Sequence, residues 1–123
     1  MTISEALTRL DLIKQNAYTQ QEKVAWLSRL DSMVRKSVID THEGGPDEPF
    51  TGYTDLTPLT TELLAEEPWD EMYLRYLEAQ IDYANGETAR YNNAISLFNT
   101  VFSDYANAYN RTHTPKGQQV RYF

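Results

Sequence analysis

Cysteine does not occur among the 123 residues of this chain, and glycine and proline occur only five times each. Without cysteine the chain forms no disulfide, no thiolate metal site and no cysteine nucleophile. The sequence also lacks a glycine-rich phosphate loop, a nucleophile elbow and any run of the roughly 20 apolar residues that a membrane span needs. These absences predict a protein that is not an enzyme, uses no cofactor and does not enter a membrane.

Positive charge is also scarce, because 11 Lys and Arg face 18 Asp and Glu and leave a net charge of −7. A negative chain repels phosphate backbones, so no direct sequence-specific nucleic acid binding is expected. Acids dominate between Glu62 and Glu87, whereas every charged side chain after Asp104 is basic. This asymmetry either serves solubility or steers a partner.

Two helix-start motifs organise the amino-terminal part, residues 1–39. Thr2 with Glu5, and Thr19 with Glu22, have the spacing of a capping box, in which a hydroxyl and a carboxylate satisfy free helix-terminal amides. Apolar residues follow each motif at spacings of three and four, which predicts two amphipathic helices. A chain of this length builds one core, so residues 1–123 are expected to form a single domain.

Residues 40–56 lose this periodicity, and Gly44-Gly45-Pro46 makes regular structure there unfavourable. The segment is therefore predicted to be an exposed loop. Long loops in compact domains are usually functional or disordered. Two aromatic side chains in it, Phe50 and Tyr53, either tuck against the core or form part of a binding surface.

Residues 57–111 return to a helical pattern. Pro58 favours a short helical turn, Pro68 begins a helix that ends at Asn85-Gly86, and a last helix runs from Glu87 to Arg111. The sequence thus predicts an all-α, four- to five-helix bundle-like domain with a long loop between helices 2 and 3 and an extended C-terminal tail. The predicted core residues are Leu10, Leu27, Leu30, Leu77, Phe98 and Phe102.

A metal site is the one chemical alternative that the residue types suggest. Asp40, His42 and Glu43, with the distant His113, carry ligand atoms that suit zinc or manganese. Their spacing matches no standard site, and both histidines fall in predicted loops or ends. We therefore expect solvated histidines and no bound metal.

Tyrosine is abundant, and six of its nine copies fall in the last two predicted helices. A tyrosine ring favours burial while its hydroxyl needs a partner, which suits either the rim of a small core or a subunit interface. Tyr83 lies off the main apolar stripe of its helix. It is therefore the strongest interface candidate among the tyrosines.

The tail, residues 112–123, follows Arg111 and carries Lys116, Arg121 and the aromatic pair Tyr122 and Phe123. It shows no helical pattern, so it is expected either to be mobile or to add a strand to a neighbour. Basic residues can steer an encounter with an acidic surface while the aromatic rings anchor it. These five residues are therefore interface candidates, unless the tail is dispensable.

The stretch Ala79–Glu87, followed by Arg90–Ala94 and Leu97–Asn99, resembles the small helical head-tail connector proteins of tailed bacteriophages and prophages. The resemblance covers about residues 69–111 and extends weakly to the first helices. It implies a structural adaptor that forms a ring between the portal of the capsid vertex and the tail.

The resemblance also implies partners and a place. The partners would be the portal protein, a tail-side completion protein and further copies of the chain, and the location would be the neck of the virion, assembled in the bacterial host cytoplasm. The alternative is a small acidic intracellular regulatory module that binds another protein. Ring stoichiometry separates these two functions.

Overall fold

The computed structural model describes residues 1–116, and this part of the chain folds into four α-helices. A five-residue π-helical turn, Arg35–Ile39, continues the second helix. The helices confirm the predicted all-α fold and its long connection between helices 2 and 3. Their bounds are Ile3–Ile13 (α1), Gln20–Val34 (α2), Glu71–Ala84 (α3) and Thr88–Thr112 (α4).

Both predicted capping boxes form. The Thr2 Oγ1 atom accepts a hydrogen bond from the Glu5 amide at 3.1 Å, and Glu5 Oε1 accepts from the Thr2 amide at 3.0 Å. Thr19 and Glu22 repeat the arrangement at the start of α2. Each cap gives a hydrogen-bond partner to amides that would otherwise lack one. This stabilises the folded protein by about 1 kcal/mol. Sequence spacing alone therefore located the first residue of each amino-terminal helix.

Helix α3 lies at the centre of the domain and contacts α1, α2 and α4. Its side chains Met72, Tyr73, Leu77 and Ile81 are completely buried. The predicted core is confirmed at five of its six positions, and Phe102 lies half-buried against the cluster. The buried predicted residues are Leu10, Leu27, Leu30, Leu77 and Phe98.

The helical turn predicted at Pro58 is wrong, because residues 57–70 form turns and extended chain. The carbonyl oxygens of Leu59 and Thr61 accept hydrogen bonds from the amides of Ser4 and Ile3, at 2.9 and 3.0 Å. These amides belong to the first turn of α1, where no carbonyl within the helix can reach them. The segment thus supplies hydrogen-bond acceptors to the first turn of α1 and does not form a helix of its own.

The loop at residues 40–56 has no regular structure, as predicted, but it is not fully exposed. The buried Arg35 side chain holds it, since Nε lies 2.6 Å from Asp40 Oδ1 and the guanidinium donates to the carbonyl oxygens of Pro46 and Glu48. Five donors in a planar group make arginine suited to such a role. The loop therefore folds back onto the π-helical turn.

The chain leaves α4 along this loop. The Thr114 carbonyl accepts from the Glu43 amide at 2.8 Å, and the Lys116 amide donates to the Thr41 carbonyl at 2.9 Å. The first residues of the tail thus have a fixed path inside their own chain. The rest of the predicted tail, including Arg121, Tyr122 and Phe123, lies outside the described residues. Within residues 1–116, no helix combines the length and apolar character that crossing a membrane requires.

Candidate functional site

The sequence-predicted interface residues do not form one site. Tyr53 is buried and Phe50 half-buried, with their rings 5.3 Å apart in an edge-to-face contact, so this pair packs against the core. Tyr83 lies where α3 meets α4, whereas Arg111 lies in the last turn of α4. A 25-residue helix is about 37 Å long, so these two exposed residues mark opposite ends of the domain.

The first surface is the tip of the α3–α4 hairpin. Tyr83 is 70% exposed, and its ring meets that of Tyr91 at a centroid distance of 5.4 Å. Gly86 turns the chain between the helices with φ at +73°, a left-handed conformation that favours glycine. The two rings border a groove of about 350 Å³. We name this surface the aromatic tip; it is lined by Asp82, Tyr83, Gly86, Glu87, Thr88, Tyr91 and Asn92.

Contacts with the amino-terminal helices hold the aromatic tip in place. Lys14 Nζ lies 2.6 Å from the buried carboxylate oxygen Oδ1 of Asp82. The Tyr18 hydroxyl donates to Asn85 Oδ1 at 2.5 Å. The tip is therefore bonded to the connection between α1 and α2. These contacts give Tyr83 and Tyr91 a defined position.

The second surface lies at the other end of α4. Trp69 and Tyr105 have ring centroids 6.1 Å apart, and Tyr109 continues the row at 6.0 Å from Tyr105. Glu66 and Arg111 stand at the border of a groove of about 190 Å³ beside these rings. We name it the end groove; it is lined by Glu66, Trp69, Tyr105, Ala108, Tyr109, Arg111 and Thr112.

Between the two surfaces, a carboxylate is sealed inside the domain. Asp31 is 0% exposed, and its Oδ1 atom accepts a hydrogen bond from the Tyr73 hydroxyl at 2.6 Å. Its Oδ2 atom accepts from the Tyr53 hydroxyl at 2.5 Å and from the Leu64 amide at 3.0 Å. The Tyr73 oxygen accepts in turn from the Ala65 amide at 2.7 Å. This buried network ties the long connection between α2 and α3 to both helices.

Burial sets the protonation of the network. It raises the pKa of the Asp31 carboxyl above its usual range, although the three hydrogen bonds oppose the shift. Burial and the neighbouring carboxylate also raise the pKa of the Tyr53 and Tyr73 hydroxyls, so both remain donors. Sequence reasoning missed Asp31. The signal was its position on the apolar stripe of α2, between Leu30 and Val34, where an acid needs buried partners.

The raised pKa of Asp31 predicts an unusual pH dependence. When folding raises the pKa of a group, its contribution to stability is fully present below the unfolded value, here 3.8, and is lost as pH rises through the folded value. We therefore expect wild type to gain unfolding free energy relative to Asp31→Asn as the pH falls from about 7 to about 4. Chemical denaturation of both proteins across this range measures the difference.

Two other acids with shifted pKa values, Glu5 and Asp11, do not change the difference in unfolding free energy between wild type and Asp31→Asn. Glu5 and Asp11, whose pKa values are lowered by hydrogen bonds from Thr2 and Lys23, lose stabilisation in acid, but they do so equally in both proteins. They therefore cancel in the difference. A difference that stays constant with pH, or shrinks in acid, would contradict the raised pKa of Asp31.

The expectation of solvated histidines is wrong for His42, which is buried. Its Nδ1 lies 2.7 Å from the Val38 carbonyl oxygen and its Nε2 lies 3.0 Å from Asn110 Oδ1. His113 is half-buried and stacks on Tyr109 with 3.8 Å between centroids. In the part of the chain that the structure describes, no three His, Asp or Glu side chains converge to hold a metal. The two histidines instead pack where the loop at residues 40–56 meets the end of α4.

The arrangement separates a buried polar network from two surface grooves. Asp31 is fully enclosed, whereas Tyr83 of the aromatic tip and Glu66 and Arg111 of the end groove are exposed to solvent. Aromatic and arginine side chains at a surface are typical of protein interfaces. Neither models of known protein families, nor curated proteins, nor solved structures match this chain.

Proposed function

We propose that the chain is a structural adaptor subunit of a phage or prophage virion, which forms a ring between the portal of the capsid vertex and the tail. The observation that carries the proposal is the aromatic tip. Tyr83 exposes 70% of its surface although a smaller polar residue would serve a solvated helix end better. Exposed aromatic rings held in fixed positions are typical anchors of protein interfaces.

The residues that resemble head-tail connectors support the proposal by their position. Ala79–Glu87 form the second half of α3 and the turn, while Arg90–Ala94 and Leu97–Asn99 lie in the first half of α4. The resemblance therefore falls on one structural unit, the hairpin that presents the aromatic tip. Within this unit, apolar contacts such as that of Tyr76 with Phe98 keep the helices together.

A ring places particular demands on its subunit. A closed ring repeats one head-to-tail interface, so each copy needs two different complementary surfaces in a fixed relation. The aromatic tip and the end groove are different in chemistry and lie at opposite ends of the rigid helix α4. In the proposed neck, the portal protein lies on one side of the ring and a tail-side completion protein on the other.

Replacement of Tyr83 tests the proposal. We expect Tyr83→Ser to leave the melting temperature nearly unchanged, because the ring is mostly exposed, and to weaken assembly by about tenfold or more. Sedimentation velocity of the chain, alone and mixed with the portal protein of the proposed virion, measures the assembled fraction.

Leu56→Ser is the matched control, since Leu56 is 88% exposed on the loop and lies outside the hairpin. Assembly of Tyr83→Ser at wild-type level would contradict the role of the aromatic tip. A one-to-one complex with a protein other than the portal would favour the regulatory module instead.

A further inference from the structure

The end groove has the chemistry of a site for a cationic side chain. Trp69, Tyr105 and Tyr109 form a row of aromatic rings, in which Tyr105 is buried and Trp69 and Tyr109 are half-buried. Glu66 lies close enough to contribute to raising the pKa of both tyrosine hydroxyls, after the larger effect of burial. Aromatic faces attract cations, most strongly the faces of tryptophan. Arginine suits such a site best, because its planar group stacks on rings while it pairs with a carboxylate.

Acidic side chains outnumber the single cation Arg111 around the groove. Glu66 and Glu67 are exposed and adjacent in sequence, and the exposed Glu62 and the half-buried Asp70 belong to the same acidic segment. Among residues 1–116, no cation lies within ion-pair distance of Glu66. An occupant with positive charge and aromatic rings would therefore complement both the field and the shape of the groove.

We propose that the end groove binds residues 117–123 of a second copy of the chain, with Arg121 beside Glu66 and with Tyr122 or Phe123 against the aromatic row. The whole stretch after Asp104 contains no acid, and Arg121 is flanked by these two aromatic residues. The segment thus carries a positive charge that can pair with Glu66 and rings that can pack against the aromatic side chains of the groove. The inference rests on the proposed ring, since it names one of the contacts between neighbouring subunits.

The path of the chain favours a second copy over the chain's own tail. Hydrogen bonds at Thr114 and Lys116 hold the exit strand along residues 41–43, and no residue of that loop lines the groove. His113 stacks on the ring of Tyr109 and is not among the lining residues of the groove. As far as Lys116, the described chain therefore does not enter the groove, and a head-to-tail contact would bring the basic segment of a neighbouring copy to it.

The absence of native cysteine allows a direct test by disulfide formation. One full-length protein carries Glu66→Cys and the other carries Arg121→Cys, and the two are mixed under mild oxidation, with and without the portal protein. A disulfide needs Cα atoms within about 7 Å, so it reports proximity of the two positions. We expect a cross-linked species of twice the 14.2 kDa chain mass.

A matched control replaces the groove cysteine by Asn99→Cys, which is exposed in the middle of α4 and outside the groove. The Glu66→Cys mixture should cross-link at least about tenfold faster than this control, because docking raises the effective concentration of the two thiols. Equal rates for the two mixtures would overturn the proposal.

A chain that carries both Glu66→Cys and Arg121→Cys distinguishes the occupants. If this variant forms only an intramolecular disulfide, the groove takes the tail of its own chain and the proposal is wrong. Sedimentation under reducing conditions separates this failure from that of the proposed function. Rings without the Glu66–Arg121 cross-link would reject the groove contact alone, whereas the absence of assembly would reject both.

Discussion

Asp31→Ala is expected to lower the free energy of unfolding by about 3 to 5 kcal/mol, a large share of what a small domain has. Alanine removes the acceptor of three buried donors, the hydroxyls of Tyr53 and Tyr73 and the amide of Leu64. Each donor left without a partner in the interior costs about 1 to 3 kcal/mol, while relief from burying the charge offsets part of the loss. Urea denaturation followed by circular dichroism measures the change.

Asp104→Ala is the control, because Asp104 is exposed on α4 and its loss should change stability by no more than about 0.5 kcal/mol. The tyrosines test whether the network acts as a unit. If it does, Tyr53→Phe will destabilise wild type more than it destabilises Asp31→Ala, since its hydroxyl has already lost its acceptor there. An Asp31→Ala protein as stable as the control would mean that the network contributes nothing.

Phe98→Ala is expected to cost about 3 to 5 kcal/mol through the cavity it leaves between α3 and α4. The Phe98 ring is buried and packs against Tyr76 and Phe102 at centroid distances of 5.2 and 5.6 Å. The loss of this ring removes apolar contact at the joint of the hairpin. Thermal and denaturant unfolding should both show the change.

Leu97→Ala provides the matched control at the next position of the same helix. Leu97 is substantially exposed, so its truncation should cost no more than about 1 kcal/mol. A loss below about 1 kcal/mol for Phe98→Ala would show that this face of α4 does not pack as described.

Local signals in the sequence predicted the helices well. The capping boxes of Thr2 and Thr19 act within four residues, so their geometry follows from spacing alone. The stop at Asn85-Gly86 was equally local, because a left-handed residue after a helix favours glycine. Tyr83 could be identified as exposed because it departs from the apolar stripe of its own helix.

Interactions between distant residues explain what sequence reasoning missed. Asp31 meets hydroxyls 22 and 42 residues away, and the partner of His42 lies 68 residues further along the chain. The segment after Pro58 forms no helical turn because its carbonyls accept hydrogen bonds from the first amides of α1. No local pattern encodes such pairings, since they depend on how the helices pack.

The same reason limits prediction of the aromatic tip and the end groove. Tyr83 and Arg111 were identified one by one from exposure and charge, but the end groove requires Trp69, in the turn before α3, to meet Tyr105 of α4. The burial of Tyr53 likewise depended on an acceptor that the sequence pattern did not reveal. Sequence therefore identified some members of each surface and the structure supplied their neighbours.

Electron microscopy of the chain mixed with the portal protein of the proposed virion tests the central proposal most directly. A ring adaptor predicts closed particles with rotational symmetry, seated coaxially on the portal, and their loss with Tyr83→Ser. A chain that stays monomeric in the presence of the portal, with its fold intact by circular dichroism, would contradict the proposed function.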